Sequence, residues 1–445
     1  MNRPYGAQPG PPLTPHGTLG VVTGSVFLLG AILGPGVLAL PALAADAAGP
    51  ASLVAWGALL LGSIPVAATF AALGGEHPDG GGVAHFAGLA FGRRAGAPVG
   101  WWFLAAVPIG VVAAALMGGH YIAAVLGGGE ATAQAAGLTI LAVAFATNAI
   151  GLSATGRAQV VTAGALVVVL LLAVTTSAHR VHAAAFAPFA PYGWTGVGRA
   201  ASVLFFAFAG WEAATHLSAD FADPRRGLRR ATAVTLVVVS VLYLGLAVTT
   251  IGTLGPAAAT TPVPLLRLLQ GSFGTAGSAL TATVAVLLTF GAVSSYLAGA
   301  ARLGAALGRD HALPRLLVGA TQPGREPRHA LAFLAVCSTL ATVPVLAGVW
   351  SLDVLVRATS ALLAAVTLTG TLAGVRLLRE RRRGLAVGAS VFLTGVLACA
   401  GSMLLVPLLV GALALAYART RERRPAASPT DAVFARTAPC GGDQL

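Results

Sequence analysis

Two short stretches of this sequence hold residues whose types could do chemistry inside an otherwise apolar chain. The first is Gly30-Ala31-Ile32-Leu33-Gly34-Pro35-Gly36. Pro35 lacks an amide hydrogen and clashes with the preceding turn, while Gly34 and Gly36 tolerate non-helical angles. A helix opened there frees amides and carbonyls, each costing several kcal/mol if left unpaired in hydrocarbon. Freed amides at the start of the following half-helix suit a carboxylate. The bland alternative is that these glycines only let helices pack closely, and the chain has 57 glycines. Proline between two glycines, matched by a second break elsewhere, favours a binding role.

The second stretch is Phe205-Phe206-Ala207-Phe208-Ala209-Gly210-Trp211-Glu212. A carboxylate at mid-membrane depth costs at least about 2.5 kcal/mol, so it faces a cavity or a partner. Glu212 can hold a gate through hydrogen bonds or carry a coupled proton. The alternative is a structural carboxylate bonded to loose backbone amides. Phe206, Phe208 and Trp211 flank this break, and Tyr296 follows Ser294 and Ser295; together they can wall a pocket for an apolar side chain or simply pack. Ser294 and Ser295 are candidates for an ion site with backbone carbonyls, although helical serines more often bond back to their own turn. Asp353 and Arg357, spaced i, i+4, read as an ion pair on one helix face, and His120 and Tyr121 as interfacial anchors.

The elements that must position these residues are membrane helices. The chain is 56% hydrophobic and 9% charged, against about a quarter charged in an ordinary soluble domain. Its apolar stretches are long enough to cross a hydrocarbon core of roughly 30 Å. Twelve spans are expected, near 18–44, 51–73, 98–126, 131–151, 159–177, 197–217, 231–254, 274–303, 330–349, 351–378, 385–400 and 402–418. The apolar run from Gly384 to Ala418 is too long for one crossing and has arginine clusters at both ends, so a hairpin near Gly401 is expected. The broken stretches open two blocks of five spans, and an odd number of spans gives the blocks opposite orientations. The expected organisation is a disordered N-terminal tail (1–17), a first five-helix repeat (18–178), a second, inverted repeat (197–378), a two-helix hairpin (385–418) and a C-terminal tail (419–445).

All 27 basic residues are arginine, and all but Arg180, Arg199, Arg267 and Arg357 fall in alternate joints and the tails. That is the positive-inside pattern, and it puts both termini in the cytoplasm of a cell (inner) membrane protein. The net charge of +13 therefore reports topology and attraction to lipid headgroups rather than nucleic-acid binding. Cys337, Cys399 and Cys440 form neither a metal-like spacing nor a disulfide framework. No enzyme signature is present: no metal-binding histidine pair, no nucleophile with a positioned base, and no phosphate-binding loop lysine. No metal and no cofactor are expected, and transport would draw on ion or substrate gradients.

At these residues the chain resembles the amino acid–polyamine–organocation superfamily, and within it the bacterial methionine and branched-chain amino acid exporters. Three stretches carry the resemblance: Leu29 to Pro41; Gly80 to Gly92 with Gly100-Trp101-Trp102; and Phe205 to Glu212 with Asp223-Pro224. The resemblance implies an all-α polytopic membrane protein of twelve transmembrane helices, a 5+5 inverted repeat with discontinuous helices 1 and 6 plus two C-terminal helices. It implies that amides around Gly30, Ala31, Ile32, Leu33, Gly34 and Gly36 receive a substrate carboxylate. Carbonyls near Ala207, Phe208, Ala209 and Gly210 would receive its ammonium. Phe206 would be an aromatic gate, Glu212 a gating acid with Trp211 beside it, and Tyr296 would face the pocket. Two departures stand out. The lysine that some proton-coupled members carry in span five is absent, and Pro35 removes one amide, leaving Gly34, Gly36 and their neighbours. The expected activity is secondary transport of a neutral amino acid, as an exporter of methionine or branched-chain substrates coupled to protons rather than sodium. An importer of the same substrates and a non-transporting amino acid receptor are the alternatives, and a homo-oligomer is compatible with the sequence.

Overall fold

The computed structural model describes residues 19–77, 82–151, 156–309, 313 and 328–422. The expected 1–17 tail, and the C-terminal tail beyond residue 422, lie outside the described residues. Within them the chain is helical, with one isolated bridge between Leu19 and Phe221. The helices are α1 (Val21–Ile32), α2 (Gly36–Ala48), α3 (Ser52–Glu76), α4 (Gly82–Phe91), α5 (Arg93–Leu126), α6 (Glu130–Ala149), α7 (Gly156–Ser177) and α8 (Gly193–Phe208). They continue as α9 (Ala213–His216), α10 (Pro224–Leu254), α11 (Ala257–Thr260), α12 (Pro264–Arg309), α13 (Arg328–Leu346), α14 (Leu352–Leu377), α15 (Glu380–Cys399) and α16 (Leu405–Glu422).

Ten helical stretches among the described residues are long and apolar enough to cross a membrane, so this is a multi-pass membrane protein. The two stretches expected to carry breaks behave differently from the rest. The 18–44 stretch divides into α1 and α2, and the 197–217 stretch into α8 and the single turn α9. At 1.5 Å per residue α1 and α2 are each about 18–20 Å long, too short to cross alone but sufficient end to end.

Two further details depart from the expected spans. Helix α5 starts at Arg93 and runs through Pro98 and Pro108, whereas its span was expected from residue 98. The helix containing Tyr296 begins before Gly274, whose φ of +58° kinks α12 between a leading segment and the crossing segment. The α15–α16 turn falls at Gly401, φ +58°.

The elements pack so that both broken stretches lie at the centre. α2 packs on α8, α1 on α10, and α3 on both α8 and α10, while α5 runs between α6, α12 and α14. Between membrane helices water supplies no hydrophobic drive, so close approach of small residues does the packing. On α6, a side chain at Gly137 would lie 2.9 Å from the Ala115 carbonyl of α5. Ion pairs tie the two ends of the bundle. Arg382 meets Glu76 at 3.1 Å and Arg376 donates to the Ala90 carbonyl at the arginine-rich end. At the opposite end Asp353 lies 3.6 Å from Arg357 and 3.9 Å from Arg199, and Arg357 also donates to the Ala400 carbonyl. The i, i+4 pair expected on α14 is thus part of a larger contact with the α15–α16 turn. Helix α10 starts at Asp223-Pro224, where the Asp223 carboxylate accepts from the Arg226 amide at 3.0 Å, satisfying one of the amides a helix start leaves unpaired.

Candidate functional site

The first break is three residues long. Leu33 has φ −76° and ψ 70°, the angles of an inverse γ-turn. The Gly34 amide accordingly donates to the Ile32 carbonyl at 2.8 Å, and the Leu33 amide to Leu29 at 2.7 Å. Pro35 then sits in helical geometry immediately before α2, where its missing amide costs nothing because that position has no intrahelical acceptor. The Gly34 amide, expected to meet a ligand, is used by the γ-turn instead. What remains at the start of α2 is the Gly36 amide, with Val37 bonded only at 3.4 Å to the Gly34 carbonyl.

The second break is built differently. Ala209 is extended, φ −72° and ψ 141°, and Gly210 has φ +127°, a region essentially closed to other residues. The Gly210 amide donates to the Glu212 carboxylate at 3.0 Å, and the Glu212 carbonyl accepts from the Thr215 hydroxyl at 2.6 Å. Glu212 is buried. A side chain at Gly210 would come within 2.9 Å of the Ala31 carbonyl. The two breaks therefore touch.

Tyr243 of α10, which the sequence reading did not single out, links them. Its hydroxyl lies 3.0 Å from the Ile32 carbonyl and 3.3 Å from the Ala207 carbonyl, so one proton serves the buried carbonyl ends of both α1 and α8. The phenol ring is held by Trp56 at 5.2 Å and Phe208 at 5.5 Å between ring centroids, and Trp56 and Phe208 are 5.8 Å apart. The signal available in sequence was a lone tyrosine deep in an apolar span, whose hydroxyl needs a partner when buried.

A narrow cavity of about 40 Å³ lies where the breaks meet. Ala31, Ile32, Gly34, Pro35 and Gly36 line it from the first break, and Phe206, Ala207 and Ala209 from the second. Tyr296 of α12, Phe103 of α5, and Thr359 and Leu363 of α14 close the remaining sides. Among the described residues, no aspartate, glutamate, histidine or arginine lines it. Gly34 has open space beside it, and Gly36 has the Phe206 ring 3.0 Å from where a side chain would start.

Several residues assigned to the pocket from sequence lie elsewhere. Phe208 belongs to the aromatic cluster with Trp56 and Tyr243, and Leu33 is fully buried in the core. Gly30 and Gly210 do not line the cavity, and Gly210 is committed to Ala31 and Glu212. Trp211 is buried, with its indole nitrogen unpartnered among the described residues. Ser294 is also buried with an unpartnered hydroxyl, and Ser295 is half-buried. No cluster of three or more histidine, cysteine, aspartate or glutamate side chains that could hold a metal occurs among the described residues.

Electrostatically, three helix ends converge on this cavity. The amino end of α2 carries partial positive charge, and the carboxyl ends of α1 and α8 carry partial negative charge. Broken helices buried with such ends around an uncharged cavity are an arrangement suited to a small zwitterion.

Residues 13–435 match the family model for amino acid permeases. The chain belongs to the amino acid permease family. Among its relatives, the uncharacterized amino acid permease YecA of Bacillus subtilis is 29% identical over 404 residues, covering 90% of the permease and 95% of YecA. The L-methionine/branched-chain amino acid exporter YjeH of Escherichia coli is 33% identical over 394 residues, 86% of the permease and 91% of YjeH. The uncharacterized transporter Rv1999c of Mycobacterium tuberculosis is 30% identical over 347 residues, 74% and 73% of the two chains. Family and relatives are transporters, and membership implies small amino acid substrates handled within a membrane.

Proposed function

We propose that this permease is a secondary transporter of neutral, apolar amino acids that exports L-methionine and branched-chain substrates by alternating access. The observation that carries the reading is the meeting of the positive end of α2 with the negative ends of α1 and α8 around one uncharged cavity. The substrate carboxylate would bind at the Gly36 amide and its neighbours, and the ammonium at carbonyls of Ala31 and the end of α8. Phe206, Phe103 and Tyr296 would then surround the side chain. With no ionised group on the cavity wall among the described residues, a second charge on the substrate would be buried without a partner, which costs several kcal/mol. That disfavours basic and acidic amino acids. The choice of methionine and branched-chain substrates, and of the outward direction, draws on the similarity to YjeH.

The reading includes a twelve-span arrangement in the inner membrane with both termini cytoplasmic, the two broken stretches heading two inverted five-helix blocks. Glu212 is its gating acid: its carboxylate holds the Gly210 amide at 3.0 Å, and protonation would weaken that charge-assisted bond and loosen the break. This makes the proton the coupling ion of choice. Counterflow in proteoliposomes tests the reading, using an amino acid panel with and without an imposed pH gradient. Leucine, isoleucine, valine and methionine should exchange and respond to the gradient. Exchange confined to lysine, glutamate or no amino acid would refute it.

A further inference from the structure

Resting on that reading, we infer that the permease has a second, outlying subsite at its arginine-rich end, where Arg302 takes the carboxylate of an apolar amino acid and Glu212 its ammonium before the substrate reaches the central cavity. A separate cavity of about 650 Å³ opens on the arginine-rich side of the breaks. Among the described residues Glu212 and Arg302 are its charged lining residues, and Val99, Val366 and Leu303 are among its apolar walls. Phe103 lines both this cavity and the central one.

The conformation of Arg302 supports a role in binding. It lies two turns from the end of α12, whose last residues point to the arginine-rich end. A long cationic side chain near such a helix end ordinarily reaches outward to water and headgroups. Arg302 is exposed, and its Nε donates to the Ala298 carbonyl one turn back along the helix at 3.2 Å. The charge thus stands at an open cavity that an acid, Glu212, also lines. Tyr296, Gly299 and Leu303, spaced three and four apart, lie on one helical face with Arg302 beside it. The helix spans about 9 Å from Tyr296 to Arg302, which forms a track between the two cavities. A guanidinium offers paired donors that match a carboxylate, and charge-assisted bonds of this kind are about twice as strong as neutral ones. The apolar walls suit the same side chains as the central cavity.

Initial rates of radiolabelled leucine uptake test this in inside-out vesicles, which present the arginine-rich end, and in spheroplasts, which present the other. Arg302→Gln should raise the half-saturating concentration about tenfold in inside-out vesicles, and leave spheroplast values within about twofold. Arg302→Lys, which keeps the charge but not the paired donors, should fall between. Arg229→Gln, an exposed arginine on α10 at the same end, controls for general attraction and should change neither value. Unchanged inside-out values in both Arg302 variants would overturn the subsite while leaving leucine transport standing. An equal rise on both sides would also overturn it, because it would mark Arg302 as part of a gate or of the fold. Wild-type permease that transports no leucine from either side would remove the transport reading itself, and the subsite with it.

Discussion

The two breaks solve the same problem in different ways. Opening a helix in hydrocarbon leaves polar backbone groups that need partners. At the second break the chain supplies them internally: the Glu212 carboxylate takes the Gly210 amide, and Gly210 adopts φ +127° against the Ala31 carbonyl. At the first break the γ-turn at Leu33 satisfies Ile32 and Gly34, and Pro35 deletes one amide, yet the start of α2 keeps the Gly36 amide beside the cavity. The second break is therefore closed by a titratable side chain, and the first is open toward a ligand. This division suggests that the first break binds and the second responds.

Filling the open break should have the largest effect. Gly34 has free space where a side chain would start, and its φ lies outside the positive range, so Gly34→Leu should fold normally while occupying the cavity. Leucine binding should weaken at least about a hundredfold, about 2.7 kcal/mol, with the unfolding temperature in detergent unchanged. Loss of stability together with binding would blur the distinction between the breaks.

At the closed break, Gly210→Ala should act mainly on the fold. A side chain there meets the Ala31 carbonyl in a backbone region that costs about 1–3 kcal/mol for other residues. Thermal unfolding should shift down by several degrees, and transport should fall with it. Glu212→Gln separates charge from shape, since its amide oxygen can still accept from Gly210. It should retain stability but lose the response of leucine counterflow to a pH gradient. A response equal to wild type would take the switching role away from the second break.

The smallest effect is expected where the breaks are joined. Tyr243→Phe keeps the aromatic cluster but removes the hydroxyl between the Ile32 and Ala207 carbonyls. An unmade bond to a buried carbonyl costs about 1–3 kcal/mol, and the Ile32 oxygen still accepts from Gly34. The expected result is a modest drop in unfolding temperature and a severalfold slower turnover, read by differential scanning fluorimetry and counterflow.

The helical membrane class and the presence of two interruptions were legible in the sequence, because both follow from local chemistry: apolar run length, glycine and proline. Which side chains face the cavity was less legible. Phe206 and Phe208 differ by two positions, and residues two apart do not share a helix face. One therefore borders the cavity and the other packs with Trp56 and Tyr243, but sequence spacing cannot say which. The fate of the Gly34 amide depended on a γ-turn that glycine permits but does not dictate. Tyr243, Phe103 and Thr359 come from other helices, and only the packing of α5, α10 and α14 against the breaks brings them in. By type Arg302 is one more arginine of the positive-inside set; its place on the wall of a cavity shared with Glu212 is visible only in the structure.

The central claim is that the amino end of α2 receives a carboxylate while the ends of α1 and α8 receive an ammonium. Equilibrium binding to the purified permease of L-leucine, of 4-methylpentanoate (no amine) and of isopentylamine (no carboxylate) tests it directly. The account predicts that leucine alone binds and raises the unfolding temperature, and that Gly34→Leu abolishes the effect. Either single-charge analogue binding as tightly as leucine would contradict it.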